Sequence, residues 1–182
     1  MPKVLIPLAQ GCEELEAVTL IDLLRRAGVE VITAGLDEQV VTASRGVKLI
    51  PDVCLAAVLD EDFDMMVLPG GLPGATHLDD DPRIHTLLKR LQKEGKSVAA
   101  ICAAPKVLAH AGLLAGKQAT CYPGVLTALN NSDIQYIDAP VLKDGQVITS
   151  RGPGTAIAFA LELIEVLQGK ERREVVEKQL VS

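Results

Sequence analysis

Two hydrophobic periods alternate along this chain. Short apolar runs at Lys3–Leu8, Val29–Ala34, Met65–Leu68 and from Ser97 up to Cys102 read as buried strands. Between them, apolar residues recur three and four apart. Glu13–Ala27 carries Leu15, Val18, Leu20, Ile21 and Leu24 at helical spacing, and Gly28 ends it. From Gln39 to Pro51 the pattern predicts a short β excursion turning at Arg45-Gly46, with one helical turn at Leu55–Leu59. Asp81-Pro82 opens a helix that runs to Gly95, an acidic N-cap followed by a first-turn proline. A helix follows Cys102, and Gln118–Cys121 reads as a short strand. Val141–Lys143 and Gln146–Thr149 flank Asp144-Gly145, a hairpin turn signal. Thr155–Leu167 forms a long helix that Gly169 stops, and Glu171–Leu180 is a final amphipathic helix. Strands and helices alternating in this way predict a mostly parallel sheet covered on both faces, in a single domain over residues 1–182.

Composition narrows this picture. Aromatic residues make up only 2% and there is no Trp, so the core is built from Val, Leu, Ile and Ala. The formal charge of −6 comes without a Lys/Arg cluster, which argues against nucleic acid as a partner. The apolar run Val4–Ala9 is too short for a secretory h-region or a membrane span, so a cytoplasmic protein without membrane contact is expected. Cys12, Cys54, Cys102 and Cys121 are widely spaced with no CxxC, which speaks against a zinc site or a disulfide scaffold.

The candidate chemistry centres on Cys102, where Ser97-Val98-Ala99-Ala100-Ile101 meets Ala103-Ala104-Pro105. A nucleophile between strand and helix sits on a sharp elbow, close to the first amides of the helix, and a thiol there is expected to ionise easily. As a bland alternative, Cys102 is a small buried hydrophobe. Ligands of open α/β sheets bind beyond the carboxyl ends of the strands, which singles out Gln10–Glu16, Pro69–His77 and Cys102–Pro105. Pro69-Gly70-Gly71-Leu72-Pro73-Gly74 matches no dinucleotide or P-loop fingerprint. Its glycines suit either a tight turn or amides approaching an oxyanion. Of the first-turn acids Glu13, Glu14 and Glu16, two are expected to do no more than offset the helix dipole. Glu16 is the one placed to turn towards the sheet end, where burial beside a thiolate would raise its pKa.

Gly11-Cys12-Glu13-Glu14-Leu15-Glu16, Leu68-Pro69-Gly70-Gly71, Ala100-Ile101-Cys102-Ala103-Ala104-Pro105 and Thr149-Ser150-Arg151-Gly152-Pro153-Gly154-Thr155 together resemble the ThiJ/PfpI superfamily. The similarity is greatest to the Parkinsonism-associated deglycase branch and its bacterial YajL-like relatives. It implies a flavodoxin-like three-layer sandwich, a homodimer, Cys102 as nucleophile and oxidation site, and Glu16 as its protonated partner. It also implies that Gly71 and Ala103, with Gly70 in the same loop, supply amides around the oxyanion. Arg45 and Arg151 match family arginines near the site and the dimer contact.

Departures from the pattern restrict the activity. Ala103 stands where the protease-like branch has a His, and Ser150-Arg151-Gly152-Pro153 replaces the His and Glu of amidotransferase relatives, so peptidase chemistry loses support. Tyr122-Pro123 stands where some deglycase-branch members have His-Pro. Of the histidines only His77 lies near the proposed site, and Cys12 and Cys121 are candidate resolving thiols. The resemblance therefore implies a cofactor-free and metal-free deglycase or glyoxalase acting on methylglyoxal, glyoxal and their early adducts. The alternatives are a redox-sensing stress protein or holdase chaperone, and a silent binding module.

Overall fold

The chain runs β1 (Lys3–Leu8), α1 (Glu14–Arg26), β2 (Glu30–Gly35), the hairpin β3 (Val41–Thr42) and β4 (Lys48–Leu49), then β5 (Val53–Cys54). A 3-10 turn at Leu55–Val58 leads to β6 (Met65–Leu68), α2 (Gly74–Asp80), α3 (Pro82–Lys93), β7 (Ser97–Ile101) and α4 (Pro105–His110). The rest is β8 (Gln118–Ala119), β9 (Gln135–Tyr136), the hairpin β10 (Val141–Asp144) and β11 (Val147–Ser150), α5 (Ala156–Gln168) and α6 (Lys170–Gln179). These elements belong to a computed structural model that describes residues 1–181.

Seven strands form one sheet in the order β10-β11-β7-β6-β1-β2-β5, and only the β10–β11 hairpin pairs antiparallel. Side chains alternate between its faces, so each strand feeds two cores. Val4, Ile6 and Leu8 of β1, with Met65 and Val67 of β6, pack against Leu20 and Leu24 of α1 and Phe159 and Ile164 of α5. Leu5, Met66 and Leu68 face the other way, onto Leu78 of α2, Ile84 and Leu88 of α3, and Val107 and Leu108 of α4. Full burial of each such side chain contributes about 1.5–3 kcal/mol. This is the flavodoxin-like three-layer sandwich expected from the sequence. No helix among the described residues is long and apolar enough to cross a membrane.

Three local expectations are corrected. The first concerns the rotation of α1: Leu15 and Val18 are 51% and 47% exposed, whereas Glu16 and Ala17 are fully buried. The backbone before α1 is pinned to the loop after β6, Glu13 N–H donating to Gly70 O (2.9 Å) and Gly74 N–H to Gly11 O (3.2 Å). That anchorage turns Glu16 to the sheet side, and Leu20, Leu23 and Leu24 follow it on the same face at helical spacing. Second, the segment expected to stay a loop as far as His77 ends at Pro73, and His77 lies within α2. Third, the strand expected over Gln118–Cys121 is limited to Gln118–Ala119, which pairs in parallel with β9 outside the main sheet.

Candidate functional site

Three carboxyl-end loops meet at Cys102. Its backbone is left-handed (φ 64°), a conformation that a non-glycine residue adopts at a cost of about 1–3 kcal/mol and that neighbouring contacts must hold. Here Cys102 N–H donates to Ser150 O of β11 (3.0 Å), and its carbonyl accepts from Tyr122 N–H (2.8 Å). The elbow is therefore clamped from both sides, and Cys102 is 8% exposed.

Glu16 reaches the same point from α1. Its Oε2 accepts from Gly70 N–H at 2.8 Å, while the buried Oε1 has no hydrogen-bond partner among the described residues, and the Cys102 thiol lies beside the carboxyl. Burial, aided by the charge of Glu13, raises the Glu16 carboxyl to about 7 against the opposing bonds from Gly70 and Cys102. The amides of Gly71 and Ala103 lie close enough to the Cys102 sulfur to favour its thiolate.

Position alone does not make this thiol acidic, which corrects the expectation of easy ionisation. Burial first, and then the Glu16 carboxylate, push Cys102 up to about 12, and only the Gly71 and Ala103 amides pull it down. The helix beyond gives little help, because α4 opens on Pro105, which has no N–H, and is only six residues long. A thiolate is favoured only when Glu16 holds the proton: repulsion then disappears and the carboxyl becomes a third donor.

The glycine loop is shaped by close approach rather than by simple turning. A Cβ on Gly70 would lie 2.7 Å from Cys102 Cβ and 2.8 Å from Glu16 Oε2, and one on Gly71 (φ 89°) 2.4 Å from Glu13 N. Gly70→Ala is expected to lower stability by about 2 kcal/mol, seen as an earlier urea midpoint, and to separate Glu16 from Cys102. An unchanged midpoint together with an unchanged thiol alkylation rate would remove Gly70 from this account. Gly70 is also corrected as an oxyanion donor, since its N–H is already committed to Glu16.

The other sequence candidates scatter. Tyr122 contributes its backbone N–H, and the residue is 52% exposed. Cys12 is fully buried in the α1 core, held well up at about 12 by burial. Cys121 lies in the opposite core, its thiol 3.1 Å from Tyr122 O. Arg151 pairs with Asp138 (2.9 Å), and Arg45 is exposed at the β3–β4 turn, its N–H donating to Glu14 Oε1 (2.8 Å). His77 Nδ1 lies 2.9 Å from Gln10 O. His110 and His85 both sit on Asp79, His110 Nδ1 2.6 Å from Oδ2 and His85 Nε2 2.7 Å from the backbone O. None of these side chains is brought onto the Cys102 sulfur within one chain. Sequence reading missed Ser150 and Ser44; the latter hydroxyl lies 2.9 Å from both Glu13 Oε2 and Glu14 Oε2 and ties the hairpin to α1. A small polar residue at a strand end is too common a signal to single either out.

A flavodoxin-like sheet bearing a cysteine on a left-handed elbow, with a buried carboxyl against its sulfur, defines the cysteine-elbow class of α/β proteins. Within that class the chain belongs to the DJ-1/PfpI family, whose model matches residues 2–166. It is 46% identical over 178 residues to Protein dj-1beta of Drosophila melanogaster, covering 97% of this chain and 95% of that protein. It is 38% identical over 177 residues to the glutathione-independent glyoxalase DJR-1.2 of Caenorhabditis elegans, covering 97% and 94%. The crystal structure of Drosophila melanogaster DJ-1beta superposes with a TM-score of 0.95 at 45% identity, covering 99% of this chain and 97% of that one. Oxidized Toxoplasma gondii DJ-1 gives 0.94 at 42%, covering 100% and 98%.

Proposed function

We propose that this protein is a cofactor-free glyoxalase or deglycase, acting on methylglyoxal, glyoxal and their early adducts in carbonyl-stress defence. The observation that carries the reading is the pairing of Cys102 with a buried Glu16 whose carboxyl is raised to about 7. A relative of nearly equal length carries the name glyoxalase and is independent of glutathione, which fits a thiol supplied by the protein itself.

The chemistry follows from the geometry. Sulfur of Cys102 adds to the aldehyde carbon, forming a C–S bond, and the oxyanion takes a proton while the Gly71 and Ala103 amides face the reacting centre. Glu16, now a carboxylate, removes the proton from that carbon and returns one to the neighbouring carbonyl carbon, while the hydroxyl proton passes to the neighbouring oxygen, leaving a thioester with a free hydroxyl beside it. Water cleaves the C–S bond, releasing lactate from methylglyoxal or glycolate from glyoxal, and the thiol is restored. The net change is addition of one water. Glutathione-free conversion of methylglyoxal into lactate by the purified protein tests the reading, and no lactate above the protein-free control overturns it.

A redox role rests on the same donors, because amides and a carboxyl around sulfur would hold the oxygens of a sulfinate. After dilute peroxide, peptide mass spectrometry is expected to show two added oxygens on Cys102 while the fully buried Cys12 and Cys121 stay unmodified. Equal oxidation of all three sinks a sensing role.

The chain acts as one domain, since both cores share a single sheet, and as a homodimer. Leu15 and Val18 lie on the outer face of α1, with Val47 beside them through the contact of its N–H with Glu14 Oε1 (3.5 Å), and all three are about half exposed. A second copy is the occupant that would cover this patch. The wild type should sediment as a dimer and the Leu15→Lys, Val18→Lys double variant as a monomer; a monomeric wild type rejects the assignment.

A further inference from the structure

A cavity of about 600 Å³ opens beyond the carboxyl ends of β1 and β2, and neither Cys102 nor Glu16 lines it. It falls in the size range of small-molecule sites, at the sheet end where open α/β folds bind ligands. Leu8, Ala9, Leu36 and Val41 give it an apolar floor.

What the rim offers is decided by which polar atoms are already used. The Gln10 amide is held in place, Nε2 donating one hydrogen to Val40 O (3.0 Å) and Oε1 accepting from Thr42 N–H (2.8 Å). Asp81 caps α3 through Arg83 N–H (2.9 Å) and takes Nε and Nη2 of the same guanidinium, so the two charges cancel. Arg83 Nη2 also donates to Leu36 O (2.8 Å), leaving Nη1 as the remaining donor of that side chain.

Three acceptors are left over. His77 Nδ1 faces the carbonyl of Gln10 at 2.9 Å and so carries the hydrogen, which leaves Nε2 as an acceptor in the neutral ring. Asp37 uses Oδ1 for Gln39 N–H (2.9 Å) and keeps its second oxygen. Nothing among the described residues pairs with Asp80. Asp37 shares the field of Arg83, but three carboxylates against one guanidinium leave the rim negative, and with an apolar floor and an imidazole acceptor it matches a cation that carries its own N–H donors.

We propose that this cleft is a binding site for an alkylammonium or alkylguanidinium group, its stem on Leu36 and Val41 and its N–H donors on Asp80, Asp37 and His77. The site is independent of the cysteine chemistry. Its ligand would lie against Gln10, on the outer side of the Gln10–Glu13 segment that joins β1 to α1.

The test is an amide-resolved NMR titration of the full chain with n-butylammonium and n-butylguanidinium in about 0.15 M salt, which screens diffuse surface attraction. Saturable shifts are expected at Gln10, Leu36, His77 and Asp80, unchanged in Cys102→Ser. The Asp37→Asn, Asp80→Asn double variant should bind about tenfold more weakly, the loss of a charge-assisted hydrogen bond. Butyrate should not bind, and n-butyltrimethylammonium, charged but without N–H donors, should bind several-fold more weakly than n-butylammonium. Shifts that never saturate, butyrate binding as well as the amine, or a double variant that titrates like the wild type would each overturn the site. Equal binding of the trimethyl analogue would overturn the assignment of N–H donors.

Discussion

Cys102→Ser is expected to bring lactate formation from methylglyoxal down to the protein-free background, and Glu16→Gln to lower it by about 10²–10⁴-fold. The two variants fail for different reasons. Serine keeps the left-handed elbow and its clamps to Ser150 and Tyr122, but a hydroxyl gives up its proton to a carboxylate far less readily than a thiol and is a far weaker nucleophile. Glutamine keeps an oxygen for Gly70 N–H and a donor for sulfur, so the thiol still adds to aldehydes. It cannot accept the carbon-bound proton, so turnover stops at the hemithioacetal. Proton NMR of lactate, with mass spectrometry of the protein, separates the two: Glu16→Gln should accumulate a Cys102 adduct and Cys102→Ser none. Full activity in either variant removes that residue from the mechanism.

Stability of the same Glu16→Gln variant should change with pH in a direction fixed by Glu16. The carboxyl has an ordinary value of 4.5 in the unfolded chain and about 7 in the fold. Between those values the native state holds the extra proton, so wild-type stability is fully present below pH 4.5 and falls as pH rises to about 7. Each pH unit is worth about 1.4 kcal/mol, giving a loss of up to about 3 kcal/mol across this window. Glutamine carries no such proton. The difference between variant and wild type should therefore swing in favour of Glu16→Gln by that amount from pH 4.5 to pH 8. Urea unfolding at a series of pH values measures it, and parallel stability curves would show that Glu16 stays ionised in the fold. The Cys102 thiol does not intrude, since its folded value lies above its ordinary 9.0 and acts only beyond that pH.

Much of this arrangement was legible in the chain, for identifiable reasons. Strands β1, β2, β6 and β7 announce themselves because residues buried on both faces must be apolar throughout. The helix at Pro82 carries its own start signal, Asp81 accepting from Arg83 N–H as a side-chain cap. The rotation of α1 was not legible: Leu15 and Val18 fit the apolar stripe as well as the truly buried residues do, and only the anchorage of Gly11 and Glu13 to the β6 loop decides which side turns inward. Helix α2 was hidden for a related reason, since Gly74-Ala75-Thr76-His77 has little helical preference and forms a helix because Ala75 and Leu78 are drawn into the core. Cys102 and Glu16 were readable as candidates from residue type and place. The acidity of the thiol was misjudged because desolvation, which outweighs nearby amides, depends on packing that only the folded chain possesses.

The clamped elbow has a consequence for how the chain acquires its chemistry. Cys102 takes its backbone shape from β11 and from Tyr122, and its acid from α1 near the opposite terminus. Tyr122, Ser150 and Glu16 lie 20, 48 and 86 residues from Cys102, so the elbow and its acid are brought together by long-range contacts alone. The coupling of this thiol to its acid is therefore a property of the completed fold, present only where α1, β11 and the Tyr122 segment have all docked.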